Sequence, residues 1–338
     1  MKRYWRGIII SLALGFGVVV ATMLLSDLGA LAQQALDFPW LLMIPALALR
    51  VANWVLRFAK WHFYLHVVGV QDIRLDDSAA VFVSGFVLAL SPGKAAEALK
   101  SVVLKGLTGM AIARTLPVVA AERLSDGLAV IILLAVSIGV LAAETYWPVV
   151  IGSLAALGLL IVVLQVRPVC LWLLDGAGRL PLVRRLAGAL RDFYASSYEI
   201  VRWRNLLIAV GLGTIANFLD GVGVYLILVG LGQPAGMTTF FQALMVISLS
   251  VVVGSLSALP GGLGAADLSI GVTLRTVIGL EAPVAGLATL LARFVQLWWG
   301  VIVGMIVGFV YRRRLLTVQV EADLTRREAY TPDGLPVR

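Results

Sequence analysis

Apolar runs separated by short polar connections recur along the whole chain, and crossing a hydrocarbon layer of about 30 Å takes ~20 helical residues. Six runs meet that length and each predicts one full span: Gly7 to Leu25, Pro39 to about Lys60, about Thr115 to Leu141, Pro148 to Val166, Asn205 to Leu231 and Pro283 to Tyr311. Two further apolar stretches, Ala79 to Lys105 and Phe240 to Leu280, are interrupted at Ser91-Pro92-Gly93 and at Leu259-Pro260-Gly261-Gly262. Proline ends an incoming helix and glycine permits the sharp turn that follows. The pattern predicts an all-α, polytopic membrane protein of about six full spans plus two re-entrant or broken helical hairpins.

Composition agrees: of 338 residues, 60% are hydrophobic and 14% charged, and the mean hydropathy is +0.97. Soluble domains carry roughly 25% charged residues. The single cysteine, Cys170, excludes an internal disulfide, and two histidines far from any ligand cluster predict no metal site and no cofactor. Familiar nucleotide-binding, serine-hydrolase and zinc-protease motifs are absent, so the sequence reads as a non-enzyme.

The net charge of +8 is concentrated in three places: Lys2, Arg3 and Arg6; seven arginines from Arg167 to Arg204; and six from Arg312 to Arg338. Basic loops of membrane proteins face the cytoplasm, so these positions predict cytoplasmic termini and no nucleic-acid partner. Ser26 to Asp37, Glu144 to Trp147 and Gly232 to Thr239 contain no Lys or Arg and read as external. With those sides assigned, parity makes each interrupted stretch dip in and return, the first from the cytoplasm and the second from outside. The start, MKRYWR followed by apolar residues and Ala30-Leu31-Ala32, imitates a signal peptide, but Gly7 to Leu25 exceeds the usual ~7–15 residues of a cleaved apolar region and reads as an uncleaved span.

The two interrupted stretches are copies. LSPGKAAEALK and LPGGLGAADLS each place Pro-Gly before small residues and a carboxylate, Glu97 or Asp267, and an arginine follows 26 positions later, Arg123 or Arg293. Upstream, Asn53 and Asn217 lie well inside a crossing in each copy. The copies run in opposite senses, which gives inverted repeats of about 39–141 and 205–311, joined by the span 148–166 and a basic segment 167–204. Residues 1–314 then form a single transmembrane domain and 315–338 a cytoplasmic tail. Inverted repeats with broken helices are a plan of secondary transporters, whose sites lie near the midplane.

The candidate substrate-binding residues follow from cost. An arginine at mid-span costs ~2.5–3.5 kcal/mol on insertion scales and must face protein or water, and guanidinium is the preferred bidentate partner of phosphate. Arg123 and Arg293 are therefore expected to meet an anionic headgroup, with internal pairing to Glu122 and Asp126, or to Asp267, as the other reading. A helix restarting after Pro92-Gly93 or Pro260-Gly261-Gly262 offers unpaired N–H groups to an anion, and Lys94 adds a charge. Glu97 and Asp267 would hold the arginines when the site is empty. Arg50 with Asn53, and Asn217 with Asp220, share a spacing that puts each pair on one helix face at the repeat interface. Arg57, Lys60 and His62, flanked by Trp61, Phe63 and Tyr64, read as an interfacial belt. Gly300, Gly304 and Gly308 form a face for close helix approach, and Leu182 to Arg204 reads as an amphipathic segment at the cytoplasmic surface.

With SPGKAAEALK, AERLSDGLAV and LPGGLGAADLS in order and at these spacings, the chain resembles the lysylphosphatidylglycerol synthase transmembrane family of flippase-like proteins, from the first span to Tyr311. The resemblance implies movement of lipids or lipid-linked headgroups across a bacterial or archaeal cytoplasmic membrane. Some members carry a fused aminoacyl transferase, for which the 27 residues after Tyr311 leave no room, so a stand-alone member is expected. Asp267 departs from the family's usual glutamate. Stand-alone members are linked to hopanoids and to polyprenyl-linked sugars, so the cargo stays open. The expected partners are membrane lipids, anionic or polyprenyl-linked, with a second copy of the chain or lipid-synthesis enzymes as further options. Three readings remain: a lipid flippase whose cargo keeps its acyl chains in the bilayer, a scaffold for envelope synthesis acting through its basic segment, and a lipid-modifying enzyme.

Overall fold

The computed structural model describes residues 28–71, 73–90, 99–142, 144–165 and 197–312. The expected first span 7–25, the corner at Ser91-Pro92-Gly93 with Lys94 and Glu97, most of the basic segment 167–204, and the tail 315–338 lie outside them. All regular structure among the described residues is helical. In chain order the helices are α1 (Leu28–Asp37), α2 (Trp40–Val67), α3 (Leu75–Ser84, continued as a 3-10 helix over Gly85–Leu90), α4 (Leu99–Thr108), α5 (Ile112–Leu141), α6 (Trp147–Gln165), α7 (Trp203–Gly230), α8 (Met237–Leu256), α9 (Ala265–Thr276) and α10 (Ala282–Val310).

Five of these, α2, α5, α7, α8 and α10, are long and apolar enough to cross a membrane, and α6 is a shorter apolar helix. The protein is thus a multi-pass membrane protein, and the expected spans from Pro39 onward each appear as a helix within a few residues of the expected limits. Three details differ. The stretch Ser26 to Asp37, read as a connection, contains α1, because its alanines and leucines favour a helix that docks on α10. The second span runs on to Val67 rather than ending near Lys60. The second broken hairpin is unequal: α8, with 20 residues, is long enough to cross on its own, while α9 returns over 12.

The break between α8 and α9 follows from its residues. Pro260 has no N–H to continue a ladder, and Gly261, Gly262 and Gly264 take positive φ values of 60°, 66° and 82°, a region that glycine enters without a Cβ penalty.

Helix directions are read from contacts. α2 packs most extensively on α7 and antiparallel to it, with Phe38 against Gly230 at one end and Arg57 against Asn217 further along. α10 runs parallel to α2, placing Gln296 beside Arg50 and Gly300 beside Trp54. The last helix of each half packs on a helix of the other: α5 on α8, and the end of α10 on α3 and its 3-10 continuation.

Two apolar clusters close the bundle at opposite ends. One joins the start of α2, the end of α7 and the starts of α8 and α10, around Met43, Leu228, Val246 and Leu287. The other joins the end of α2 with α3, α4 and the start of α5, around Trp61, Phe82, Leu104 and Val118. Charged side chains occupy the level between.

The glycine face of α10 makes a close joint with the backbone of α3. A Cβ on Gly304 would stand 2.9 Å from the Val83 carbonyl oxygen and 3.2 Å from Phe86 Cβ, whereas one on Gly308 would meet Ser84 Cβ at an ordinary 3.8 Å. Gly304→Leu is therefore expected to lower the unfolding temperature in detergent, at a cost of about 1–3 kcal/mol from overpacking, with Gly308→Ala near neutral.

Candidate functional site

The face of α2 that turns inward carries Arg50, Asn53, Arg57 and Lys60, positions that recur on one side of a helix. Each meets a carboxylate or amide from a neighbouring helix. Arg50 donates from Nη1 to Asp220 Oδ2 at 2.6 Å and from Nη2 to the Gln296 carbonyl at 2.6 Å. That carbonyl belongs to the π-helical turn Phe294–Trp298 of α10, a distortion that recurs at functional positions because it turns backbone groups out of the regular ladder. Asn53 Nδ2 donates to the Ala216 carbonyl at 2.7 Å and to Asp220 Oδ2 at 3.1 Å. Arg57 donates from Nη1 to Asp126 Oδ2 at 2.8 Å and from Nη2 to Asn217 Oδ1 at 3.3 Å.

Lys60 is fully buried, with its ammonium on Asp126 Oδ1 and, at 3.2 Å, on Ser125 Oγ. Arg57 and Lys60 therefore belong to the interior and not to the interfacial belt that their distance from the helix end suggested. Because α2 continues to Val67, both lie in mid-protein, and Trp61 and Tyr64 are buried with them. A charge in that setting is tolerated only when it is paired and hydrogen-bonded.

Around this row lies a cavity of about 200 Å³ lined by α2, α3, α4, α5, α7, α8, α9, α10 and the Gly261-Gly262 corner. Among the described residues its walls carry five cations, Arg50, Arg57, Lys100, Arg123 and Arg293, against three carboxylates, Glu122, Asp126 and Asp220. The excess of positive charge in a partly enclosed space, less screened than open solvent, favours an anion. Arg123 stands beside Asp126 and acts on it electrostatically. Arg50 Nε and Arg57 Nε are buried donors with no hydrogen-bond acceptor among the described residues, the arrangement that an oxygen-rich ligand would complete.

Arg293 is held differently. Its Nε donates to Asp267 Oδ1 at 2.7 Å and its Nη2 to the Gly261 carbonyl at 2.9 Å. Asp267 in turn accepts from the Gly264 N–H at 2.8 Å, so one carboxylate both caps α9 and pairs with the arginine 26 positions on. The N-terminus of α9 thus already has its own anion, and the arginine is the group there that faces the cavity.

Lys100 enters from α4 with 5% of its surface exposed. Its ammonium lies 3.7 Å from Glu122 Oε2, and 5.0 and 5.1 Å from the ring centres of Trp61 and Phe82. Gly85 makes room for it, since a Cβ there would fall 2.3 Å from Lys100 Cε.

Of the candidates from sequence, Arg50, Glu122, Arg123, Asp126, Asn217, Gly261, Gly262 and Arg293 line one cavity. Asn53 and Asp267 bond to its walls, and Pro260 opens the 3-10 turn beside it. Pro92, Gly93, Lys94 and Glu97 are outside the described residues. Arg57, Lys60, Lys100 and Gln296 were not among the candidates. The spacing of Arg50, Asn53, Arg57 and Lys60 was a signal for the first two, and no pattern singled out the others.

Segments of the chain are similar to archaeal membrane proteins. Over 118 residues it is 27% identical to a UPF0104 membrane protein of Methanothermobacter thermautotrophicus, covering 35% of this chain and 34% of that protein. Over 134 residues it is 27% identical to a UPF0104 membrane protein, PH1989, of Pyrococcus horikoshii, covering 39% of each. The chain therefore spans between about a third and two fifths of the length of these curated relatives. The family model described as the lysylphosphatidylglycerol synthase TM region matches residues 8–304, nearly the whole described bundle, and the chain belongs to that family.

Proposed function

We propose that this protein moves an anionic lipid, or an anionic lipid-linked headgroup, between the leaflets of a bacterial or archaeal cytoplasmic membrane. The observation that carries the reading is the cation-rich cavity lying between the two apolar clusters and walled by helices from both halves of the chain. A headgroup phosphate would compete for the donors now held by Asp126, Asp220 and Asp267, and the released carboxylates would take the cations back after it leaves. Such exchange keeps buried charge paired throughout, which a low-dielectric interior requires. The family's membrane-lipid association supports the cargo class.

The test is reconstitution in liposomes with an anionic phospholipid whose headgroup fluorophore is quenched from outside. The wild-type protein accelerates the loss of inner-leaflet signal. Arg123→Ala and Arg293→Ala each slow it by about 10–100-fold, the equivalent of a lost charge-assisted hydrogen bond of ~1.5–3 kcal/mol. Arg→Lys at the same positions keeps the charge, controls for folding and restores only part of the rate, because the bidentate fork is lost. Unchanged flipping by both alanine variants would remove the proposed site.

A further inference from the structure

A second cavity, of about 630 Å³, adjoins the charged one. It lies between α5, α6 and α8 and the turn at Ala258-Leu259, and its walls are mainly apolar, among them Leu116, Ile131, Leu157 and Val252. The two cavities share Arg57, Arg123, Asp126, Val251, Gly254 and Ser255. A chamber of fixed charge thus opens, across Arg123, into an oily cleft roughly three times its volume.

The cleft has a closed end and an open one. Toward the end of α5 and the start of α6, the three helices meet in a packed cluster that includes Leu134, Ile138, Val150 and Met245. Toward the start of α5 and the end of α8 the lining is less tightly packed, and two of its leucines, Leu256 and Leu259, are 74% and 43% exposed. The opening therefore lies on the side where α5 begins, the cytoplasmic side by the distribution of basic residues.

We propose that a hydrocarbon chain of the substrate lies in this cleft while its anionic headgroup sits in the charged chamber, the molecule entering laterally from the leaflet on the side where α5 begins. The inference rests on the headgroup reading above and goes beyond it, since the sequence alone left the acyl chains in the bilayer. A headgroup that must reach mid-depth carries its glycerol or first methylenes with it. An apolar wall beside the cations removes the cost of leaving those methylenes among polar groups. The ligand class is therefore a whole amphipathic anion, and a soluble headgroup alone would fill only the smaller cavity.

The experiment uses the full chain in phosphatidylcholine nanodiscs containing a small fraction of phosphatidic acid that bears a diazirine midway along one acyl chain. After irradiation, adducts are mapped by peptide mass spectrometry and the phosphatidic acid retained through purification is measured. Expected are adducts at the cleft near Ala120, Leu157 and Val252, falling about tenfold or more in Arg123→Ala, while adducts on the outward face at Ile132, Val136 and Val140 stay constant. Ala156→Phe, which fills the cleft and leaves every charge in place, is expected to remove the same cleft adducts. Labelling confined to the outward face, with retention still lowered by Arg123→Ala, would overturn the place of the chain in the cleft and leave the headgroup reading standing. Cleft labelling that Arg123→Ala does not change would overturn the joint occupancy, and unchanged retention in the same variant would bring down the headgroup reading as well.

Discussion

Asp126→Ala is expected to destabilise the folded protein by about 3–5 kcal/mol, the range for breaking a buried ion pair by removing one partner. Purified variant would show a sharply lower unfolding temperature in detergent, or too little monodisperse protein to measure. The reason is the number of cations that lean on this carboxylate. Arg57 and Lys60 both bond to it, and Arg123 adds its charge nearby. Without it Lys60, which is wholly buried, keeps only Ser125 Oγ as a hydrogen-bond acceptor among the described residues. Lys60→Met is expected to be far milder, because Asp126 then retains Arg57 and a methionine fills the space of the lysine stem. If the lysine variant proved as damaging as the aspartate variant, the carboxylate would not be the keystone of the cluster.

Gly262→Val is the second large effect. The residue sits at φ +66°, and a Cβ there would stand 3.1 Å from Gly254 Cα, a backbone atom of α8 that cannot swing aside. A left-handed conformation costs a non-glycine residue roughly 1–2 kcal/mol, a β-branched one more, and overpacking adds about 1–3 kcal/mol. The corner also supplies the Gly261 carbonyl that accepts from Arg293. Flipping should therefore fail together with a drop in unfolding temperature, measured on the same preparation. A variant with wild-type stability and rate would mean that the corner relaxes without moving the arginine.

Much of this architecture was legible in the sequence because a bilayer imposes strong rules. Span lengths from Pro39 onward, the Pro260-Gly261-Gly262 corner and the spacing of Asp267 to Arg293 follow from the need to satisfy every backbone group and every charge inside the membrane. The pairing of that aspartate with that arginine, the alternative to a free headgroup ligand, is the geometry found at 2.7 Å. Arg57 and Lys60 were misread because nearness to aromatic residues and to a helix end resembles an interfacial belt. Their helical phase with Arg50 and Asn53 was the better guide, since phase, and not depth, decides which neighbour a side chain meets. Lys100 and Gln296 carried no such signal. The place of Lys100 depends on a gap at Gly85 and on two aromatic rings from other helices, and that of Gln296 on a π-helical turn. Both are outcomes of tertiary packing that no linear spacing encodes.

The exchanged packing, α5 on α8 and the end of α10 on α3, bears on how the bundle can be divided. Pulling the N-terminal half away from the C-terminal half would peel open both joints at once, including the one where Gly304 nearly touches the Val83 carbonyl. Neither half is consequently a self-contained unit, because each joint ties a helix of one half to a helix of the other.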